Sequence, residues 1–347
     1  MSPLEFREKF FTLVQSAKSI IVTSHMSPDE DSIGSVLTLY DLLTHSETAK
    51  EEKSIRLLYS GTRLPRFEGL ANYDRVEFVT DMAEEITDSD LVILLDAGAL
   101  RRASKQPEVL DNFKGRKICI DHHRTEGEAF DLSLVDPDCP ATAELIYRIF
   151  YQDREPTLEA AEAMLVGILG DTGNFAYLKP TQMGTFDVVK RLLPFAKTSI
   201  QELQSRYRGI TPKALAGIKH LLSTMRLHKL PGWSPFQSTV FTREFAEENN
   251  YSDEEVSEAT HTYPYLTSME GYKWGLVLGP RGDGGVRIGL RSRTSEMNVR
   301  RIMERMGLGG GHDQAAGGTI IAKPGEKLDP QAGLEQILTW LKRNKPE

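Results

Sequence analysis

Over its first 150 residues the chain alternates short apolar or β-branched runs with segments of helical period, and this alternation limits the possible folds more than any other feature. The runs fall at residues 19–24 (SIIVTS), 55–60 (IRLLYS), 76–79 (VEFV), 91–95 (LVILL) and 117–120 (KICI). Residues 33–43 (IGSVLTLYDLL) and 141–150 (ATAELIYRIF) carry the helical period between and after them. Continuous apolar strands separated by helices predict parallel βαβ units with both sheet faces covered. The expected N-terminal core is therefore an α/β domain built on a parallel sheet. In such sheets ligands sit outside the carboxyl ends of the strands, so the polar residues just after each run are the ones to inspect.

The pattern then changes twice. Residues 156–230 read almost entirely as helix, most clearly at 158–169 and 200–225, which predicts a helical connector. From residue 238 onward TVF, WGLVLG, VRIGLRS and GTIIA read as strands, with helices at 298–306 and 331–342, which predicts a second, smaller α/β domain. The expected division is 1–190, a connector at 191–232, and 233–347. A length of 347 residues suits two domains. The segment GPRGDGG at 279–285 reads as a hairpin turn. GLGGGHDQAAGG at 307–318 precedes a strand instead of following one, so it is not a dinucleotide-binding fingerprint.

Composition excludes several classes. With 39% hydrophobic and 27% charged residues the chain reads as soluble and globular. No apolar stretch approaches the ~18 to 20 residues needed to span a bilayer. The start MSPLEFREKFF is amphipathic without a signal-peptide core, so no membrane and a cytoplasmic location are expected. Cys119 and Cys139 fit neither a disulfide framework nor a zinc spacing. A net charge of −8 argues against gripping long duplex nucleic acid through a broad basic surface. Residues 271–347 nevertheless carry 13 Lys/Arg against 8 Asp/Glu. That asymmetry suits metal ions in one part and a phosphate-bearing ligand in the other, although charge alone is more simply an uneven surface.

Acids and imidazoles gather where strands end. HMSPDED after the first run places His25, Asp29 and Asp31 within seven residues at a helix start, a metal-ligand spacing. The same residues would also serve an ordinary loop with a first-turn acid. LVILLDAG delivers Asp96 from a fully apolar run, where an uncompensated carboxylate is costly to bury and needs a metal or a helix N-terminus. KICIDHH brings Asp121, His122 and His123, and the helix ending at GDTG brings Asp171. Four segments converging on the ligand edge of one sheet make coincidence improbable. Oxygen ligands mixed with imidazole and without thiolate suit Mn²⁺ or Mg²⁺ better than structural zinc.

In order and spacing, HMSPDED, LLDAG, DHH and GDTG resemble the DHH phosphoesterase superfamily, and VRIGLRSR with GGGHDQAAGG is similar to its DHH-associated C-terminal domain. The resemblance covers almost the whole chain. It points to the compact nanoRNase/pAp phosphatase subfamily and related dinucleotide phosphodiesterases, ahead of RecJ-type exonucleases and family II pyrophosphatases. It implies one Mn²⁺ on His25, Asp29 and Asp96, and a second on Asp31, Asp96, His122 and Asp171, with Asp96 bridging. Mg²⁺ or another divalent ion would suit the same set. His123 is implied to face the scissile phosphate as charge stabiliser or proton donor, with Asp121 orienting it. Arg291 is implied to bind a substrate phosphate, with Arg293 as the fallback, and Gly310, Gly311 and His312 to approach a phosphate or base.

The expected function is thus a metal-dependent phosphodiesterase acting on short RNA or dinucleotides, releasing mononucleotides, with 3′-phosphatase activity on pAp. Cleavage of linear or cyclic dinucleotide messengers is the first alternative, and a catalytically inactive nucleotide sensor is the alternative of another class. The resemblance admits a homodimer, and no apolar stripe marks its interface. Three positions depart from the family pattern: Glu30 stands where Gly is usual, Arg124 follows DHH as an extra phosphate contact or a surface arginine, and Asn174 follows GDTG. Trp233 and Trp274 could stack a base, but Trp274 opens a strand pattern and reads as core.

Overall fold

The computed structural model describes residues 1–26, 28–45, 53–123, 130–262, 267–294 and 296–345. Two units divide between Gly209 and Ile210. The first contains strands β1 (Ser19–Thr23), β2 (Ser54–Ser60), β3 (Val76–Val79), β4 (Leu91–Leu95), β5 (Arg116–Asp121) and β6 (Leu132–Val135). They form one parallel sheet in the order β3-β2-β1-β4-β5-β6. The expected α/β core is present, with one strand more than its sequence pattern indicates. β6 (LSLV) has too few apolar residues to show a period, and its pairing with β5 (Ile118 opposite Leu132) makes it an edge strand.

Burial explains why the strand sequences are continuous apolar runs instead of alternating ones. Ile20, Val22, Ile93, Leu95 and Ile120 pack on one face beneath helices α1 (Pro3–Ser16), α2 (Glu30–His45), α4 (Thr142–Phe150) and α5 (Leu158–Asp171). Ile21, Val92 and Leu94 pack on the other, beneath Met82, Ile86, Leu100 and Leu110, the last on the short α3 (Pro107–Asp111). The order in which successive strands are added reverses between β1 and β4, where Thr23 stands opposite Leu94, and Leu95 stands opposite Ile120 of β5. Three carboxyl ends therefore lie abreast at the switch point, which is where α/β sheets bind ligands.

α2 and α5 approach closely because both present glycine at their crossing. A Cβ on Gly34 would lie 2.5 Å from the Ala163 carbonyl oxygen, and one on Gly167 would lie 2.7 Å from a carboxylate oxygen of Asp31. The helical stretch beyond α5 is interrupted. α6 (Gly184–Ala196) and α7 (Ile200–Ser205) belong to the first unit, and α8 (Pro212–Ser223) opens the second. Residues 206–211 separate α7 from α8, so the helix expected over 200–225 is two. Pro212 needs no amide partner at the first helical position, and Thr211 caps the new helix by accepting from the Ala214 amide at 3.0 Å.

The second unit is a mixed sheet, ordered β11-β12-β10-β9-β8-β7, of β7 (Arg226–His228), β8 (Phe236–Val240), β9 (Trp274–Pro280), β10 (Val286–Ser292), β11 (Gly309–His312) and β12 (Ala315–Ile320). All pairs are antiparallel except β8 with β9. Helices α9 (Arg243–Glu248), α10 (Asp253–Thr262), α11 (Val299–Met306) and α12 (Pro330–Arg343) complete it. α9 and α10 escape sequence reading because their segment is dense in acids and short in apolar period. Trp274 is core, as its place in a strand pattern predicts: its ring stacks on Phe236 at 4.4 Å and its indole donates to the Ser234 carbonyl at 3.0 Å. GGGH is itself a strand and not a loop, paired with β12 through Gly310 opposite Gly317. Among the described residues no helix is long and apolar enough to cross a membrane.

The Gly34 contact yields a stability test. Gly34→Ala improves helix propensity but drives a methyl against backbone that cannot retreat, so overpacking wins. The expected loss is about 1–3 kcal/mol, read as a lower first transition in calorimetric melting; an unchanged or raised transition would show that α2 and α5 can separate freely.

Candidate metal centre

Each acidic or imidazole side chain at the sheet edge is held by a specific local device. Asp29 sits just before α2 and divides its oxygens: Oδ1 accepts the Ser32 amide at 3.0 Å, capping the helix, while Oδ2 faces His25 Nε2 at 3.5 Å. Two residues later, Asp31 is fully buried and points at the start of α4, accepting the Thr142 amide at 2.6 Å and the Ala143 amide at 2.9 Å. A helix N-terminus thus stabilises Asp31, one of the ways a buried acid is tolerated. Gly167 leaves the room this carboxylate needs.

Asp96 leaves β4 in the left-handed region, with φ of 52°. A non-glycine residue there is strained, and such strain persists only where surrounding contacts over-determine it. Its amide donates to the Ile120 carbonyl at 3.1 Å, continuing the strand pairing, and its Oδ1 accepts from the Thr142 hydroxyl at 3.1 Å. The same oxygen lies 3.3 Å from both His122 Nε2 and His123 Nδ1, and Oδ2 lies 3.8 Å from His25 Nε2.

The two adjacent histidines are held differently. His122 Nδ1 lies 3.2 Å from the Cys139 carbonyl, so it carries the proton and Nε2 is left to face Asp171 at 3.0 Å, Asp96 and, at 3.9 Å, Asp31. His123 is set by buried Asp121, which accepts its amide at 2.8 Å and its Nδ1 proton at 2.9 Å. Asp171 ends α5, after which Gly173, Asn174 and Phe175 are all left-handed, turning the chain sharply away.

Electrostatics define what the pocket suits. Burial and the neighbouring charges of Asp96 and Asp171 push the Asp31 carboxyl well above its ordinary range. Burial raises Asp171 to about 6 despite His122. Burial would raise Asp96 too, but hydrogen bonds from His122 and His123 outweigh it and hold Asp96 well below the carboxylate range. Burial lowers the His123 pKa, yet Asp121 and Asp96 lift it to about 9. The pocket therefore gathers more negative charge than its imidazoles neutralise, and a divalent cation relieves that excess. Donor geometry agrees: His25, Asp29 and Asp96 form one group with ligand atoms within 4.8 Å of one another, and Asp31, Asp96 and His122 form another. Asp96 belongs to both.

All eight residues expected at the centre from the first unit, His25, Asp29, Asp31, Asp96, Asp121, His122, His123 and Asp171, are brought together. Thr142 and the Cys139 carbonyl are also part of it and were not foreseen; the only sequence signal was a threonine at a helix start. In the second unit, Arg291 on β10 and His312 on β11 both stand opposite Ala315, which places them in one row on one face of the sheet. Arg291 Nη1 donates to the Leu290 carbonyl at 2.9 Å. Gly311 adopts φ of 142°, and a Cβ there would lie 2.5 Å from the Ala315 carbonyl oxygen. Arg293 is apart from this row, donating to the Thr267 carbonyl at 3.0 Å. Arg124 lies outside the described residues.

Comparison with known proteins gives this arrangement its relatives. The DHH family N-terminal domain matches residues 19–168 and the DHHA1 domain matches residues 237–341. The chain is 29% identical over 320 residues to the bifunctional oligoribonuclease and PAP phosphatase of Thermus thermophilus, covering 92% of this chain and 88% of that one. It is 26% identical over 311 residues to the Bacillus subtilis protein of the same name, covering 88% and 90%. In fold it is similar to an exopolyphosphatase-related protein from Bacteroides fragilis, with a TM-score of 0.77 at 22% identity over 98% of this chain and 97% of that one. With a DHH domain supplying the acid and imidazole cluster and a DHHA1 domain after it, the chain belongs to the DHH family of phosphoesterases, metal-dependent hydrolases of phosphoester bonds.

Proposed function

We propose that this protein hydrolyses very short oligoribonucleotides to mononucleotides and removes the 3′-phosphate of pAp, with two Mn²⁺ ions as its cofactor. The observation that carries the chemistry is the sharing of Asp96 between two donor groups, which is what a bridged pair of ions requires. The substrate class is supported by similarity, over most of both chains, to proteins named as oligoribonucleases and PAP phosphatases. His25, Asp29 and Asp96 would hold one ion, and Asp31, Asp96, His122 and Asp171 the other. When bound, such ions lower the pKa of a water to supply a nucleophile at neutral pH and neutralise charge on phosphate oxygens.

The chain's own residues orient and protonate. Asp121 fixes the His123 ring through Nδ1, leaving Nε2 to face the reacting phosphate and stabilise its charge or protonate the leaving oxygen. The Cys139 carbonyl fixes the ring of His122 in the same manner, and the α4 amides orient the Asp31 carboxyl by donating to both its oxygens. In the second unit, Arg291 presents a planar fork suited to a phosphate, with Gly310, Gly311 and His312 on β11, the far neighbour of the intervening β12.

Product analysis with Mn²⁺ tests the assignment, comparing a linear dinucleotide, a twenty-nucleotide RNA, pAp, a cyclic dinucleotide and pyrophosphate. Fast conversion of the dinucleotide and pAp supports it, whereas dominant cleavage of the cyclic substrate overturns it in favour of a messenger phosphodiesterase. Nucleotide binding without turnover makes the protein a sensor.

Variants test the roles. Asp96→Ala is expected to bring turnover to background and to lower retained Mn²⁺ by at least about tenfold, measured by elemental analysis after dialysis. Full Mn²⁺ retention would remove Asp96 from the bridging position. His123→Gln should instead keep its metal while kcat falls by about 10²–10⁴-fold. Arg291→Ala should raise KM for dinucleotides with a smaller change in kcat. Chelation should abolish activity, and Mn²⁺ should restore it more fully than Mg²⁺.

A further inference from the structure

Arg66 lies on the short helical turn Pro65–Phe67 that follows β2, and its Nη1 stands 3.6 Å from a carboxylate oxygen of Glu30. Glu30 is the residue between Asp29 and Asp31, so this guanidinium is tied to the helix turn that carries two acids of the metal centre. Its plane is fixed by the Phe67 ring, 4.5 Å from Cζ to the centroid.

These contacts leave the guanidinium loosely held. A separation of 3.6 Å is an ion pair but too long for a hydrogen bond. Arg66 Nε, shielded from solvent, meets no acceptor. Other arginines of this unit are held far more tightly. Arg56 grips Glu77 at 2.6 Å and Glu85 at 3.1 Å, Arg206 takes both oxygens of Glu162 at 2.8 and 2.9 Å, and Arg63 donates to the carbonyls of Val76 and Tyr73. The hydroxyl of Tyr207, a residue only 1% exposed, also lacks an acceptor and lies within electrostatic reach of both Glu30 and Arg66. A loosely tethered guanidinium whose Nε meets no acceptor, with the unsatisfied Tyr207 hydroxyl beside it, calls for an anionic oxygen ligand, and a planar fork matches a phosphate.

We infer that Arg66 binds a phosphate of the nucleotide other than the one being hydrolysed, and that Glu30 positions it. The inference rests on the nucleotide-hydrolase reading above and deepens it by assigning a residue to the terminal phosphate that such a nucleotide carries besides its scissile one.

The test uses the full chain with Mn²⁺ and compares 5′-phosphorylated with unphosphorylated diadenylate in the wild type, Arg66→Ala and Arg66→Lys. The expected result for Arg66→Ala is a KM about tenfold higher or more for the phosphorylated substrate, with kcat within about twofold and the unphosphorylated substrate little changed. Arg66→Lys should fall between, since an ammonium keeps the charge without the fork. Equal effects on the two substrates, or none, overturn the inference, because simple neutralisation of Glu30 would not discriminate between them. Should the alanine variant fail to fold, an unchanged preference in Arg66→Lys overturns it equally. Calorimetric titration of the chelated protein with pAp and with adenosine 3′-monophosphate gives a readout independent of turnover. Loss of the wild type's preference for pAp in the Arg66 variants supports the inference, even if neither dinucleotide is cleaved and the hydrolase reading fails.

Discussion

The rest of the first unit is arranged around a carboxylate that the fold buries at the end of its most apolar strand. Asp96 is 1% exposed and follows five consecutive buried aliphatic side chains. Left alone it would be among the most expensive groups in the molecule. Three imidazoles, a threonine hydroxyl and a left-handed backbone converge on it, and Asp31 and Asp171 crowd the same space with further negative charge. A fold tuned only for stability would place a neutral residue there. Concentrated, oriented and partly uncompensated charge is instead the condition for holding divalent cations, and metal dependence follows from this electrostatic imbalance more directly than from any single ligand.

The parallel sheet makes that concentration possible. Because β1, β4 and β5 run side by side in the same direction, His25, Asp96 and the Asp121–His123 segment emerge at one edge without any loop having to cross the core. The helices supply the remainder from the covered face. α2 contributes Asp31 from its first turn, α4 aims its free amides at that carboxylate, and α5 ends in Asp171. Gly34 and Gly167 are the packing condition for this arrangement, since any side chain at either position would push α5 away from Asp31. Packing and site are therefore one problem: the glycines that let two helices touch also set where an acid can stand.

Legibility in the sequence followed the strength of each physical signal. Strands β1, β2, β4 and β5 were evident because a buried parallel strand must be apolar on both faces, and the acids stood out because they interrupt such runs. The eight residues at the centre were legible for that reason and through the family resemblance. β6, α9 and α10 were not, since short edge strands and acid-rich surface helices carry little periodicity. The break between α7 and α8 was signalled by Pro212, yet apolar residues at helical spacing on both sides masked it. GGGH carries no strand pattern because glycine lacks the side chains that mark strands; its pairing with β12 supplies the order instead. The supporting roles of Thr142 and the Cys139 carbonyl could not be read at all, for they depend on a backbone amide and a carbonyl whose direction only the fold sets.

Charge distribution then bears on the size of substrate such a site can serve. A protein that tracks long nucleic acid gains affinity from many phosphate contacts spread along a basic surface, and that affinity falls steeply with salt. Here the net charge is −8 and the acids of the centre add locally to the repulsion of a polyanion. Only a ligand with few phosphates, each met by a dedicated cation or guanidinium, escapes that penalty. On the proposed reading, recognition by a few oriented forks such as Arg291, instead of by a diffuse positive field, would favour short nucleotides on electrostatic grounds and would make binding less sensitive to salt than for a processive nuclease.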